Sequence, residues 1–490
     1  MKIVKLLLAA VLFVACHKTD YVQVVPQEAS VVVSVNVAHI VQEGDLANSG
    51  LMQFLNRYLG LITAGDAKQQ LRHYMENPGD MGIDFTSPLY GFKAGNFVGV
   101  TMRIDDADDV EKFIGMLASQ GIAQTAPEED GVKQSILLDD IVMSYNSHTM
   151  LVLANAGDGN VMQTRQIALG LMDLEKDFSF VGTETYSQME KRGDCDVVAY
   201  SNGAALSEDV LGTLYSFIPK GVRLVDLEVF SAVAFQDGKA VLTADIQGKS
   251  NAAKKLLEEG NKNFHKIEGR YIQAPMEGFA VWACLGVKGS WLLDQLKRDE
   301  QAKMLLVALE RAIDVEAILR AVDGDVAITL PKDFSGKQML SQDFMLTAKV
   351  DNKDFMKDVD YWRDTMKEYG MSMTQAKDNH FVLKMPEYTL NWGLDGDDVY
   401  FASAKMFAAN NISKRSQLLD PLSDEIKKQQ LYVFVDLENL LSDTPLKLGI
   451  VNKVMGQMKS LTLKSRSSNS VELTVEIKDS SVNFLKALLQ

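Results

Sequence analysis

The chain echoes itself over a domain-sized interval, and this limits its folds more than any other feature. The stretch PQEASVVVSVNV from Pro26 returns as PMEGFAVWACLG from Pro275, 249 residues later. MRIDDADDVEKF from Met102 returns as AKVDNKDFMKDV from Ala348, 246 residues later. AVLTADIQGKSNAAKKLLE from Ala240 returns as VELTVEIKDSSVNFLKALL from Val471, 231 residues later. The three echoes keep their order, and the offset drifts as loop insertions would make it drift. The period is far longer than that of a solenoid repeat, and each copy is large enough to own a core. We therefore expect a tandem duplication with copies over 26–265 and 271–490 and a junction at Gly269–Ala274.

Periodicity within the copies points to an α+β fold, with antiparallel sheet covered on one face by amphipathic helices. Ser30–Val37 is Val-rich and reads as a strand, as do Phe97–Ile104, Gln134–Leu138, Ile141–Tyr145, Met150–Ala154 and Asp196–Tyr200. Val225–Phe235 and Lys239–Ile246 form a hairpin about Gln236-Asp237-Gly238. Helical spacing marks Leu51, Phe54, Leu55, Tyr58 and Ile62, then Asp105–Gln120, then Val210, Leu211, Leu214, Phe217 and Ile218, then Asn251–Glu259. In Val471–Lys478 apolar and polar residues alternate, as in a strand with one wet face.

The first fifteen residues are of another kind. Lys2 and Lys5 precede an apolar run, Leu6–Val14, and Ala15 precedes Cys16. The run is too short for a bilayer, which needs about 20 residues, and has the layout of a secretory signal. Phe13-Val14-Ala15-Cys16 resembles a bacterial lipobox, with Phe13 where Leu is usual. The resemblance implies cleavage before Cys16 and acylation of Cys16, which is then the lipid attachment site. More than one acyl chain gives a stable membrane anchor. Residues 16–25 read as a tether, carrying the single acid Asp20. A cluster of acids there would resemble a surface-export signal, so the periplasmic and surface faces both stay open.

The formal charge of −16 becomes −18 once Lys2 and Lys5 leave with the signal. A chain this acidic repels nucleic acid and anionic head groups. After Cys16 only Cys195 and Cys284 remain, which excludes a disulfide framework. Both are expected as buried thiols, since they lie in or beside apolar runs.

Candidate chemistry is sparse. Asp105, Asp106, Asp108 and Asp109 could gather a divalent cation. Asp351 and Asp354 repeat the Asp-x-x-Asp spacing before a like helix, which is what helix capping by Asp105 would produce. Asp323-Gly324-Asp325 and Asp395-Gly396-Asp397-Asp398 read as turns between strands. His17, His39, His73, His148, His265 and His380 show no metal-ligand spacing. Gly248-Lys249-Ser250 lacks the first glycine of a phosphate loop, since Thr243 stands there, and reads as a strand-to-helix turn. Carboxylate pairs for hydrolysis assemble in space and leave no spacing to read. Trp282, Trp291, Trp362 and Trp392 all fall in the second copy. They read chiefly as core, and their asymmetry makes the second copy the better candidate for a binding surface.

Taken with the Gly-Ile-Asp element at Gly82 and the Val-rich strand after Pro26, the chain resembles a family of Bacteroidetes lipoproteins known as a domain of unknown function. The resemblance implies an envelope protein and supplies no catalytic, cofactor-binding or metal-binding residue. We therefore expect non-catalytic binding or scaffolding at the outer membrane. The partners would be the membrane, through the lipid on Cys16, and an envelope protein or glycan, with the cleft between the copies as the natural site. The alternative is an envelope hydrolase acting on glycan or peptide through dispersed carboxylates. Cys16→Ala should release the protein from the membrane fraction of cells; its retention there would contradict the anchor.

Overall fold

The computed structural model describes residues 20–45, 69–70, 72–74, 77–157, 159–205, 221–298, 300–310, 313–332, 343–385, 389–412, 415–441 and 454–489. Cys16 and the helical patterns of 51–62 and 210–218 lie outside them. The chain is α+β, its strand pairings among the described residues are antiparallel, and it divides into two compact units. The first draws on Met1–Ser207, Leu227–Ala244 and Ser481–Gln490; the second draws on Glu208–Asp226 and Asp245–Ser480. The units therefore part company with the linear division into copies. The helix Asn251–Asn261 belongs to the second unit, and the C-terminal helix Phe484–Leu489 belongs to the first.

In the first unit the strands are β1 (Val31–Val35), β2 (Leu89–Ala94), β3 (Phe97–Arg103), β4 (Ala123–Thr125), β5 (Lys133–Leu137), β6 (Ile141–Tyr145), β7 (Thr149–Asn155), β8 (Val197–Asn202) and β9 (Leu227–Gln236). Their order across the sheet is β9-β8-β1-β2-β3-β7-β6-β5-β4. The β10 strand (Lys239–Gly248) follows β9 through Asp237-Gly238 and pairs with it. The second unit has β11 (Phe279–Lys288), β12 (Val322–Pro331), β13 (Met345–Val350), β14 (Ser372–Lys377), β15 (His380–Lys384), β16 (Thr389–Asp395), β17 (Asp398–Ser403), β18 (Leu431–Asp436), β19 (Met458–Ser467) and β20 (Ser470–Ile477). Their order is β20-β19-β18-β11-β12-β13-β17-β16-β15-β14. Shifted by ten strand numbers, this is the order of the first unit.

Four helices of the first unit matter below: α1 (Val37–Glu43), α2 (Ala107–Ser119), α3 (Val161–Met172) and α4 (Glu184–Glu190). β1 is shorter than its Val pattern, because the Asn36 carboxamide accepts from the His39 N–H and starts α1 at Val37. At α2 the cap is Asp106, not Asp105: its carboxylate accepts from Asp108 and Asp109 N–H. In the second unit Asp351 and Asp354 do not repeat this. Asn352 supplies the acceptor for Asp354 N–H, and the chain enters Val359–Glu368 through a 3-10 turn.

Two clusters fill the first unit. Val110 and Ile114 of α2 pack with Ile83, Ile104, Met143, Tyr145 and Met150. The other cluster gathers Val32, Phe92, Leu151, Leu153, Tyr200 and Phe230 with α3, α4 and the chain start. Tyr21, Val22, Val24 and Val25 are buried in it, so the tether read over 16–25 is already core at Tyr21. Gly99 belongs to this packing, since a Cβ there would stand 2.4 Å from the Phe92 ring. The C-terminal helix is held to the first unit by Asn483, which donates to Glu43 at 2.7 Å, and by a Lys486–Asp45 pair at 3.2 Å.

In the second unit Trp282, Trp362 and Trp392 are core residues, each at most 4% exposed. Asp323-Gly324-Asp325 is not a turn but lies inside β12, at a register shift between Val322 and Val326. Asp325 is fully buried there, and its carboxylate accepts from the N–H groups of Glu268, Gly269 and Arg270 at 2.8, 2.9 and 3.1 Å. Burial pushes its pKa up against the opposing pull of these three donors. Asp395-Gly396-Asp397-Asp398 does make the turn between β16 and β17. Asp325→Ala removes the acceptor of three amides and should cost about 2–3 kcal/mol, read as a lower urea midpoint. A midpoint within error of the parent would contradict this anchoring role.

Candidate functional site

The pairing of β1 decides where the first unit is open. Directly opposed residues share a face of the sheet. Val32 stands opposite Phe92 and Tyr200, and Ser34 stands opposite Tyr90 and Val198. At Ser34 the small side chain leaves the sheet uncovered, and a cavity of about 310 Å³ forms over it.

Separate segments bring polar groups to this cavity. Tyr21 is set by the buried Thr101 hydroxyl, which donates to its carbonyl at 2.7 Å. The loop carrying Asp84 leaves Gly82, whose φ of 75° suits glycine and whose Cβ would lie 2.2 Å from the Asp106 carbonyl. Asp84 N–H donates to Arg103 O of β3 at 2.9 Å. The α4 helix, capped by the Thr183 hydroxyl, supplies Tyr186, Met189 and Glu190. Cys195, Asn36 and Arg103 complete the wall.

The rings of Tyr21, Tyr90 and Tyr186 form a buried run, with centroids 6.0 Å apart for the first pair and 6.5 Å for the second. Tyr21 Oη–H donates to the Pro88 carbonyl at 2.7 Å, and Tyr90 Oη–H donates to Glu190 Oε1 at 3.0 Å. Burial first, and then neighbouring phenols and Glu190, push all three phenols far above their ordinary range, so they stay protonated. Burial also pushes Asp84 up. The Thr86 and Ser87 hydroxyls, the Thr86 N–H and Arg103 outweigh it and hold Asp84 below the usual carboxylate range. Cys195 is a free thiol pushed up by burial and by Asp196 and Asp194, which makes it a poor nucleophile.

In the second unit the corresponding position is packed shut. By sheet register Cys284 of β11 takes the place of Ser34, one residue beyond the Ala283 that the sequence echo sets against it, and stands opposite Ala327 of β12 and Tyr432 of β18. All three belong to a buried cluster with Tyr271, Leu419 and Ile426.

The residues singled out by sequence lie away from the cavity, except Cys195 and Asp84 of the Gly-Ile-Asp element. The binding surface expected in the Trp-rich second copy is not where this cavity formed. Among the described residues no His, Cys, Asp and Glu group is arranged to hold a metal. His73 pairs with Asp80 at 2.8 Å and His265 with Asp323 at 2.6 Å. Ser250 of the Gly-Lys-Ser stretch is a helix cap, accepting from Ala253 N–H at 3.1 Å. Asp84 is the acid of the Gly-Ile-Asp element, but nothing in the sequence joins it to Glu190, 106 residues away. The Gly-Ile-Asp element was the one usable pointer to this loop.

A family model described as a domain of unknown function, DUF4836, matches residues 21–483. The chain belongs to this family. The DUF4836 match begins at Tyr21, the first residue of the cavity wall. No curated protein matches the chain. Among solved structures, crystal form III of TP0453 is similar with a TM-score of 0.29 and 11% identity, over 50% of this chain and 87% of that one. Crystal form IV of TP0453 gives 0.29 and 11% over 46% and 79%. Among the described residues of this DUF4836 chain no helix is long and apolar enough to cross a membrane.

Beside the cavity, Asp196 is buried and accepts from Phe235 N–H at 2.6 Å and from the His39 ring. The hydrogen bond to Asp196 raises the His39 pKa above 6.5, in spite of partial burial. A raised folded pKa stabilises the fold at low pH. The contribution should be complete below about pH 6.5 and fade as pH rises through the folded value. His39→Gln should flatten that part of the melting-temperature profile. An unchanged profile in the variant would contradict the pairing.

Proposed function

We propose that this DUF4836 protein is a Bacteroidetes-type lipoprotein of the cell envelope, acylated at Cys16, that binds a small polar ligand without turning it over. The observation that carries this reading is the contrast between two equivalent positions. Ser34, Tyr90 and Val198 leave a partly open cavity with polar and apolar walls, whereas Cys284, Ala327 and Tyr432 at the same registers belong to packed core. The lipobox supports the anchor. The shared strand order of the two units supports a tandem duplication.

Hydrolysis is the second reading, since Asp84 and Glu190 line one cavity. Glycoside hydrolysis needs a carboxyl that keeps a proton to give. Asp84 is pinned by two hydroxyls and Arg103 and held below the carboxylate range. A carboxylate so fixed favours binding over acid catalysis.

Val198→Tyr copies Tyr432 into the cavity. Native mass spectrometry of protein taken from its own envelope should show a small bound molecule on the parent chain. The variant, with unchanged circular dichroism, should lack it. A variant that keeps the molecule, or a parent that carries none, would contradict the binding reading; release of a cleaved product would favour the hydrolase.

A further inference from the structure

Resting on the reading of the cavity as a ligand site, we infer that its ligand presents an ammonium group, held by Glu190 and by the phenol oxygens of Tyr21 and Tyr90. The inference follows from where the hydroxyl protons go. Tyr21 gives its proton to the Pro88 carbonyl at 2.7 Å, a group that can only accept. Tyr90 gives its proton to the Glu190 carboxylate at 3.0 Å. Ser87 Oγ–H donates to Asp84 Oδ2 at 2.8 Å, and Thr86 Oγ1–H donates to Asp84 Oδ1. Four hydroxyl protons are thus committed inside the protein. The Tyr90 oxygen also meets the Ser34 and Tyr186 hydroxyls; the lone pairs that remain on these oxygens offer a guest acceptors.

Charge points the same way. Two carboxylates and one guanidinium line the cavity. Arg103 Nε lies 3.7 Å from Asp84 Oδ2 and offsets it. Glu190 has no cationic partner among the described residues; its hydrogen-bond partners are the Tyr90 and Tyr186 phenols, which leave its negative charge uncompensated. An ammonium offers three donors and no acceptor, which matches a wall of acceptors with one uncompensated negative charge. A neutral alcohol brings lone pairs that need donors of their own. Three phenol rings beside the charge favour a cation further, through the negative faces of their π-systems. At about 310 Å³ the cavity is at the small end of ligand sites, which run from about 300 to 1,000 Å³. It suits one ring or a short chain. The Asn36 amide and Arg103 remain as donors for an acceptor elsewhere on the same molecule.

The test is calorimetric titration of the full chain with cyclohexylammonium and with cyclohexanol, which share a ring and differ in the group at issue. The ammonium should bind at least about tenfold more tightly. Glu190→Gln keeps an acceptor for Tyr90 and removes only the charge. It lies at the exposed rim, so the fold should survive, and it should weaken ammonium binding about tenfold. Equal affinity for the two probes, an indifferent Glu190→Gln, or no ammonium binding at millimolar concentration would overturn the inference. If cyclohexanol binds, and Val198→Tyr abolishes that binding, while the ammonium does not bind, the cavity reading stands and the ammonium fails. If Val198→Tyr leaves ammonium binding intact, the site is elsewhere and both readings fail.

Discussion

The antiparallel pairing of β1 with both β2 and β8 is the constraint on which the first unit depends. Val33 stands opposite Gly91 and Ala199, residues far along the chain from it. Closing such loops costs entropy before any contact repays it. The return is a strand with a hydrogen-bonded neighbour on each side, and Val32 within it fully buried. Once this register is set, the faces of β2, β3, β7 and β8 follow from the two-residue period of the pleat. A slip of one residue would exchange Ser34 for Val33 or Val35 on the cavity face and close it with a branched side chain.

The second unit uses the same frame to a different end. Val281–Leu285 pairs with β12 and β18 in the register of β1 with β2 and β8. Trp282 sits where Val32 sits, and Tyr432 where Val198 sits, and both are buried. Of these two, Tyr432 stands at the register of a cavity residue, Val198, and its ring fills space where the smaller Val198 leaves an opening. The buried Trp282 belongs to the same packed cluster as Cys284, Ala327 and Tyr432.

Much of the fold was legible, because two-residue alternation and helical spacing are local signals. β3, β6, β7 and the β9–β10 hairpin stand within a few residues of their sequence patterns. The errors have particular causes. Val37 continues a run of valines but belongs to α1, since a capping Asn36 outweighs β propensity. Asp323-Gly324-Asp325 has turn composition and lies in a strand, because a buried carboxylate was needed to collect the amides of residues 268–270. The cavity was not legible. It is made by residues that the sheet brings together from six stretches of chain, and the decisive differences between the units are single side chains at matched registers.

The contrast to be tested is between the acceptor-lined cavity of the first unit and the packed Cys284, Ala327 and Tyr432 of the second. A crystal structure of the folded chain soaked with cyclohexylammonium tests it most directly. The account predicts the probe in the first unit, its nitrogen within hydrogen-bonding distance of Glu190 and a phenol oxygen, and no probe among Cys284, Ala327 and Tyr432. A probe bound in the second unit, or a first-unit cavity filled by its own side chains, would contradict it.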